Sequence, residues 1–205
     1  MSELTRAIVD ELKRAPEGGL VVPKHFLHLA SRAAIDQALG RLAKSGQVVR
    51  IARGIYCAPI TSKYGHYLPE AEHVIAHLQA LTGDTIVSHP ARAANDFGLT
   101  AQVPVREIYL TSGAFKRLEL GSQTVDLHRG KPWQFLWGNS PAGHAVRALG
   151  WGVPEGIAER VSVVRQMIDR TEWQKVFQAR AKLPGWMAKE IGRQGKYDSV
   201  VVGAH

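Results

Sequence analysis

Apolar positions recur at two spacings along this chain, and the switches between them mark out its elements. Over SELTRAIVDELKR, residues 2–14, Leu4, Ile8 and Leu12 return every four positions with Ala7 beside them, which predicts a helix with one buried face. Ser2 is placed to cap its start, and Pro16 with Gly18-Gly19 closes it. Pro23, at a first-turn position, predicts a shorter helix over 23–29 with Phe26, Leu27 and Leu29 as core contacts. Ser31 reads as the N-cap of a third helix that reaches Ser45 and is closed by Gly46. Ile35, Ala38, Leu39 and Leu42 form its buried stripe, while Arg32, Gln37, Arg41 and Lys44 fall mainly on other faces. The apolar segments VVRI and IYCA then flank a break at Ala52-Arg53-Gly54, which predicts a two-stranded hairpin.

Beyond Pro59, ITSKYGHYLP holds Gly65 and Pro69 among polar neighbours and reads as a linker. EAEHVIAHLQALTG, residues 70–83, predicts an amphipathic helix with Val74, Ile75, Leu78 and Leu81 inward. TIVSH reads as a short strand, ARAANDFGL as a small-residue helix stopped by glycine, and VREIYLTSG as a strand. KRLELGSQTVDLHRG reads as two strands joined at Gly121-Ser122. From Ser140 onward the pattern is helical again, through HAVRALGWG, GIAERVSVVRQMI and LPGWMAKEIGR. Three helices followed by a hairpin in about 60 residues is the order of a winged helix-turn-helix. The expected fold class is therefore α+β: a winged helix-turn-helix over residues 1–62, then a mixed α+β domain over 63–205 that ends in helices.

Composition narrows the class. With 205 residues, 45% hydrophobic and 21% charged, the chain has the make-up of an ordinary soluble globular protein. No apolar run approaches the roughly 20 residues of a membrane span, and the amino terminus lacks the unbroken apolar stretch of a signal peptide. The single cysteine, Cys57, excludes an intramolecular disulfide and a Cys-rich zinc site. The expected location is cytoplasmic, with no membrane partner.

Charge changes the picture further. The formal net charge is +8, an excess that favours nucleic acid or another anionic surface. Six cations lie between Lys24 and Arg53, where Asp36 is the only acid. In a winged module the last helix enters the major groove and the hairpin lies along the backbone or the adjacent minor groove. Gln37 and Arg41 are thus expected to read base edges, with Arg32 and Lys44 on phosphates or bases. Arg50 and Arg53 would hold the hairpin on double-stranded DNA, because guanidinium binds phosphate in a bidentate way. Helix pairs followed by hairpins also serve as plain scaffolds or protein-binding modules, and that alternative stays open.

Catalytic patterns are absent from the sequence. There is no Walker loop, no GxGxxG after a strand and no GxSxG elbow. His73 and His77 stand four apart on a helix, but Glu72 precedes the pair rather than following its first member, so a solvent-facing or hydrogen-bonded pair is expected over a metal site. His89 is expected to pack or cap. Trp133, Phe135 and Trp137 alternate as a buried strand face would, with base stacking as the alternative. Residues 175–197 carry six Lys/Arg and one acid, Glu190. They could form a second nucleic-acid surface, a patch for an acidic partner, or a solvated helix face. No catalytic residue, metal or cofactor is expected.

IDQALGRLAKSGQVVRIARGIYCAP, taken with VSHPARAANDFGLTAQVPVREIYLTSG, resembles the AbiEi-like antitoxin family of abortive-infection, type IV toxin–antitoxin systems. The resemblance covers most of the chain, and its most specific parts are the helix-to-wing passage, the RGIY wing and the QVPVREIYLTSG strand. It implies a DNA-binding regulator of its own promoter that counteracts a nucleotidyltransferase-like toxin and is not an enzyme. The alternative is a nucleic-acid-processing enzyme that docks through the winged module.

Overall fold

The computed structural model describes residues 2–63, 65–102, 106–152 and 154–201. In chain order its first elements are α1 (Glu3–Arg14), β1 (Leu20–Val21), α2 (Arg32–Lys44), β2 (Val49–Ala52), β3 (Ile55–Cys57), β4 (Ile60–Ser62), β5 (Gly65–Tyr67) and α3 (Ala71–Thr82). They are followed by β6 (Ile86–Ser88), α4 (Pro90–Asp96), β7 (Glu107–Thr111), β8 (Lys116–Leu120) and β9 (Gln123–Arg129). Four helices complete the chain: α5 (Pro141–Leu149), α6 (Ile157–Met167), α7 (Arg170–Gln178) and α8 (Gly185–Val201). The protein is a mixed α and β structure. It divides into two compact units, one of Met1–Asp84 with Phe115–Leu127, the other of Thr85–Ala114 with His128–His205. Whereas a boundary is expected after residue 62, the first unit runs on through α3 and also takes in β8 and most of β9.

In the first unit, Ser2 caps α1 by accepting a hydrogen bond from the Thr5 backbone N–H at 3.3 Å, and Ile8 and Leu12 are buried as the four-residue spacing predicts. Ser31 caps α2 in the same way through Ala34 at 3.4 Å. Ile35, Ala38, Leu39 and Leu42 point into a core shared with Ile8, Phe26 and Val48. Three departures from the expected pattern occur here. Pro23–Phe26 is a 3-10 turn rather than a helix to residue 29, and Leu27 and Leu29 stay exposed at 50% and 42%. β1, unpredicted because two residues cannot show an alternation, pairs with β3 to give an antiparallel sheet in the order β1-β3-β2. The expected linker instead forms an antiparallel pair, with Ile60 opposite Tyr67 and Ser62 opposite Gly65. Polar residues do not prevent a ladder whose hydrogen bonds come from the backbone.

In the second unit, β6 pairs antiparallel with β7, placing Val87 opposite Leu110. α4 packs on α5, whose small residues Ala142, Gly143, Ala145 and Ala148 are all buried and permit a close approach. α6, α7 and α8 close the core through Val161, Val164, Trp173, Val176, Met187 and Ile191. α7 escapes the sequence pattern because only Trp173 and Val176 of its nine residues are buried. Trp133, Phe135 and Trp137 do not form a strand face: Pro132–Phe135 is a 3-10 turn, with Pro132 fitting its first position and the Gln134 side chain accepting from the Lys131 N–H at 2.7 Å. Residues 103–105, within the QVPVREIYLTSG stretch, lie outside the described residues. Among the described residues, no helix is long and apolar enough to cross a membrane.

Candidate nucleic-acid interface

α2 and the β2–β3 hairpin carry all six residues expected to meet DNA, and all six are exposed. At about 100° per residue, Arg41 lies about 40° and Lys44 about 20° from Gln37 around α2, so the three share one stripe. The buried stripe of Ile35, Ala38, Leu39 and Leu42 faces the opposite side. Burying that stripe therefore obliges Gln37, Arg41 and Lys44 to face outward.

Arg32 does not join this stripe. It lies about 140° around the helix from Gln37, and its Nε donates to both carboxylate oxygens of Asp36 at 3.1 and 3.0 Å. Its guanidinium sits beside the hairpin turn, since a side-chain carbon added at Gly54 would lie 3.9 Å from Arg32 Nη2. Both partners of the pair are exposed, at 59% and 48%, so the pair contributes at most about 1 kcal/mol and can yield to a phosphate. Arg32 thus lies beside the hairpin turn and off the stripe of Gln37, Arg41 and Lys44.

The hairpin follows from its own residues. Arg50 stands opposite Tyr56 and Ala52 opposite Ile55, and the register slips at Ile51, which turns inward while Arg50 remains outside. Ala52 and Ile55 pair across Arg53-Gly54, and Gly54 takes φ +72°, a left-handed conformation that glycine adopts without cost. Arg53 is therefore presented at the outermost point of the turn. Ile55, Tyr56 and Cys57 are buried behind it, and burial pushes the Cys57 thiol up to about 11, which leaves it unreactive. β8 lies against β2, and its Arg117 grips Asp126 of β9 at 2.7 and 3.2 Å. That pair was not legible in the sequence, because nothing there showed that β8 would adjoin the hairpin.

The remaining candidates are occupied elsewhere. His77 Nε2 lies 3.2 Å from the Glu17 carbonyl and His73 Nδ1 lies 3.5 Å from the Glu17 carboxylate, so the pair ties α3 to the loop after α1. Among the described residues, no group of three His, Cys, Asp or Glu side chains is arranged to hold a metal ion. His89 caps α4, its Nδ1 accepting from the Ala91 N–H at 3.2 Å. In the basic stretch, Lys175 pairs with Glu172 and Arg193 with Glu190, while Arg180 donates to the Phe177 carbonyl at 2.7 Å. The side chains of Lys196 and Tyr197 lie outside the described residues.

Two features of the second unit were not anticipated. Arg147 on α5 is fully buried, and its Nη1 donates to the carbonyls of Gln134 and Gly138 at 3.2 and 2.7 Å. Its Nε and Nη2 have no hydrogen-bond partner, and burial pushes the guanidinium down to about 10. The loop reaches this arginine only because Gly143 has no side chain, since a Cβ there would lie 2.4 Å from the Gly138 carbonyl oxygen. The second feature is a chain of hydrogen bonds from Ser88 through His144 to Asp96. Its members are 56 and 48 residues apart in pairs, so no local motif announces it.

The model of a family described as "Family of unknown function (DUF6088)" matches residues 7–170. No curated protein matches the chain. Among solved structures the chain is similar to one titled "Crystal structure of RV2827C protein from Mycobacterium tuberculosis". Identity is 14% and the TM-score 0.41, over 94% of this chain and 78% of that chain.

Proposed function

This chain belongs to the DUF6088 family, and we propose that it is a DNA-binding antitoxin and autorepressor whose first unit works as a winged helix-turn-helix. The observation that carries the DNA reading is the outward stripe of Gln37, Arg41 and Lys44, joined by Arg50 and Arg53 on the hairpin. α2 would lie in the major groove, where the Gln37 amide suits adenine and the Arg41 guanidinium suits guanine. Arg53 would reach phosphate or the minor groove from the hairpin turn, with Arg32 beside it exchanging Asp36 for a phosphate. The antitoxin role rests on the sequence resemblance to AbiEi-like regulators, with a nucleotidyltransferase-like toxin as the partner.

Two measurements test the two parts. The full-length protein should bind duplex DNA from its own promoter more tightly than random duplex in fluorescence anisotropy, with affinity falling steeply as salt rises. Indifference to sequence and salt would sink the DNA reading. Co-expression with the neighbouring gene should restore growth if that gene encodes the toxin. Growth that stays arrested would remove the antitoxin role without touching the DNA reading.

A further inference from the structure

We propose that Ser88, His144 and Asp96 form a chemical site in the second unit, a nucleophilic serine with its general base and an orienting carboxylate, acting on small carboxylic esters. The inference does not depend on the DNA reading. Ser88 ends β6, Asp96 ends α4 and His144 lies in the first turns of α5. The packing of α4 on α5 and the start of α4 directly after β6 bring the three together.

The hydrogen bonds define their roles. Asp96 Oδ2 lies 3.0 Å from His144 Nε2, and Ser88 Oγ lies 3.2 Å from His144 Nδ1. A carboxylate only accepts, so Nε2 carries the ring proton and Nδ1 presents its lone pair to the serine. The Ser88 hydroxyl then donates to a basic nitrogen, the arrangement that activates a serine. The ring is held from the side by Phe97, with centroids 5.6 Å apart. Burial, then the charge of Arg147 and less strongly that of Arg92, push the imidazole below its ordinary value against the pull of Asp96, so it is the free base at neutral pH. His89, adjacent in sequence, is committed to the α4 cap and does not compete for the hydroxyl. Ser88 is half-buried and the His144 side chain is 26% exposed, so the pair is not sealed from solvent.

The chemistry balances without a co-reactant other than water. Ser88 Oγ forms a bond to the ester carbonyl carbon while its proton moves to His144 Nδ1, with Asp96 stabilising the imidazolium. The bond from that carbon to the leaving alcohol breaks, and Nδ1 returns the proton to the departing oxygen. Water then attacks the acyl-serine, gives a proton to Nδ1 and releases the carboxylic acid, and Ser88 Oγ recovers its proton. Ser88 and His144 are the reacting groups, and Asp96 is a positioning residue.

A staple joining β6, α4 and α5 would share this geometry but not its reactivity. The full-length protein is treated with a fluorophosphonate, which loses fluoride as Ser88 Oγ bonds to phosphorus, and the adduct is located by peptide mass spectrometry. The expected result is one adduct at Ser88, absent in Ser88→Ala, with matching release of p-nitrophenol from p-nitrophenyl acetate. His144→Gln should slow labelling by about 100-fold or more. Asp96→Asn should slow it by at least about tenfold. In the wild type the labelling rate should rise with pH through the lowered titration of His144, and Asp96→Asn should displace that profile further downward. Circular dichroism establishes that each variant is folded. An unlabelled Ser88 in folded wild-type protein overturns the proposal, as does a folded His144→Gln that labels at the wild-type rate.

Discussion

Arg53 stands exposed at a hairpin turn in the first unit, whereas Arg147 is wholly enclosed in the second and holds two carbonyls of the 132–140 loop. An exposed cation keeps its hydration, so folding makes little demand on where it sits. A buried one gives up that hydration, and only fixed hydrogen bonds offset the loss. The fold therefore makes little demand on Arg53, while the position of Arg147 is explained by the loop it organises. The same contrast separates Arg41, Lys44 and Arg50 from Arg193, whose guanidinium is bonded to Glu190 at 3.0 and 2.8 Å. Arg41 and Lys44 on α2 and Arg50 and Arg53 on the hairpin are exposed, whereas Arg193 is held by a carboxylate of its own helix.

The largest effect should come from removing the buried cation. Arg147→Ala leaves the Gln134 and Gly138 carbonyls unpaired and opens a cavity, and should lower stability by about 2–5 kcal/mol in urea unfolding. Arg147→Met should cost clearly less, because it fills the space and removes the two unmet donors along with the charge. If Met proved as harmful as Ala, the hydrogen bonds rather than the packing would be the essential contribution.

At the exposed end of the comparison, Arg53→Ala should weaken promoter binding by about 1–3 kcal/mol while moving stability by less than about 0.5 kcal/mol. Unchanged anisotropy would remove the hairpin from the interface. A finer division is expected along α2. Gln37→Ala should lower discrimination between promoter and random duplex. Lys44→Ala should weaken both and reduce the salt slope by about one. Equal losses on both duplexes for Gln37→Ala would assign the reading face to other residues.

The smallest effect concerns pH. His89 and His144 are both held below the ordinary histidine value, chiefly by burial, with His128 acting on His89 and Arg147 on His144. The unfolded chain therefore takes up protons first as pH falls below about 6.5, and stability declines from there through the lowered folded values. Unfolding midpoints measured between pH 7.5 and 5 should fall, and His144→Gln should flatten the decline. A flat wild-type profile would show that neither ring is kept neutral by the fold.

How much could be read beforehand depended on distance along the chain. The stripe Ile35, Ala38, Leu39 and Leu42 recurs within a few turns, so it fixes both the buried face of α2 and the outward face that carries Gln37, Arg41 and Lys44. The Arg53-Gly54 turn is equally local, because glycine alone adopts its left-handed conformation without cost. The position of the Arg32 side chain is less local, since it depends on Asp36, one turn on, and on the proximity of Gly54. The β4–β5 pair and the two-residue β1 escaped because their hydrogen bonds belong to the backbone and leave little trace in side-chain type. The alternation of Trp133, Phe135 and Trp137 does not mark a strand here, because Pro132 starts a 3-10 turn that ends at Phe135 and Trp137 takes φ +59° beyond it. The sequence by itself determined α1, α2, α3, the hairpin and the outward cations, since each follows from neighbours within about one or two turns, but not α7 or the extent of the turn after Pro23. Only the tertiary structure decided that the first unit extends to α3, that Arg147 is sealed under a loop, and that Ser88, His144 and Asp96 meet. Those results depend on which distant surfaces pack together, and packing is set by the summed shape of many side chains rather than by any local pattern.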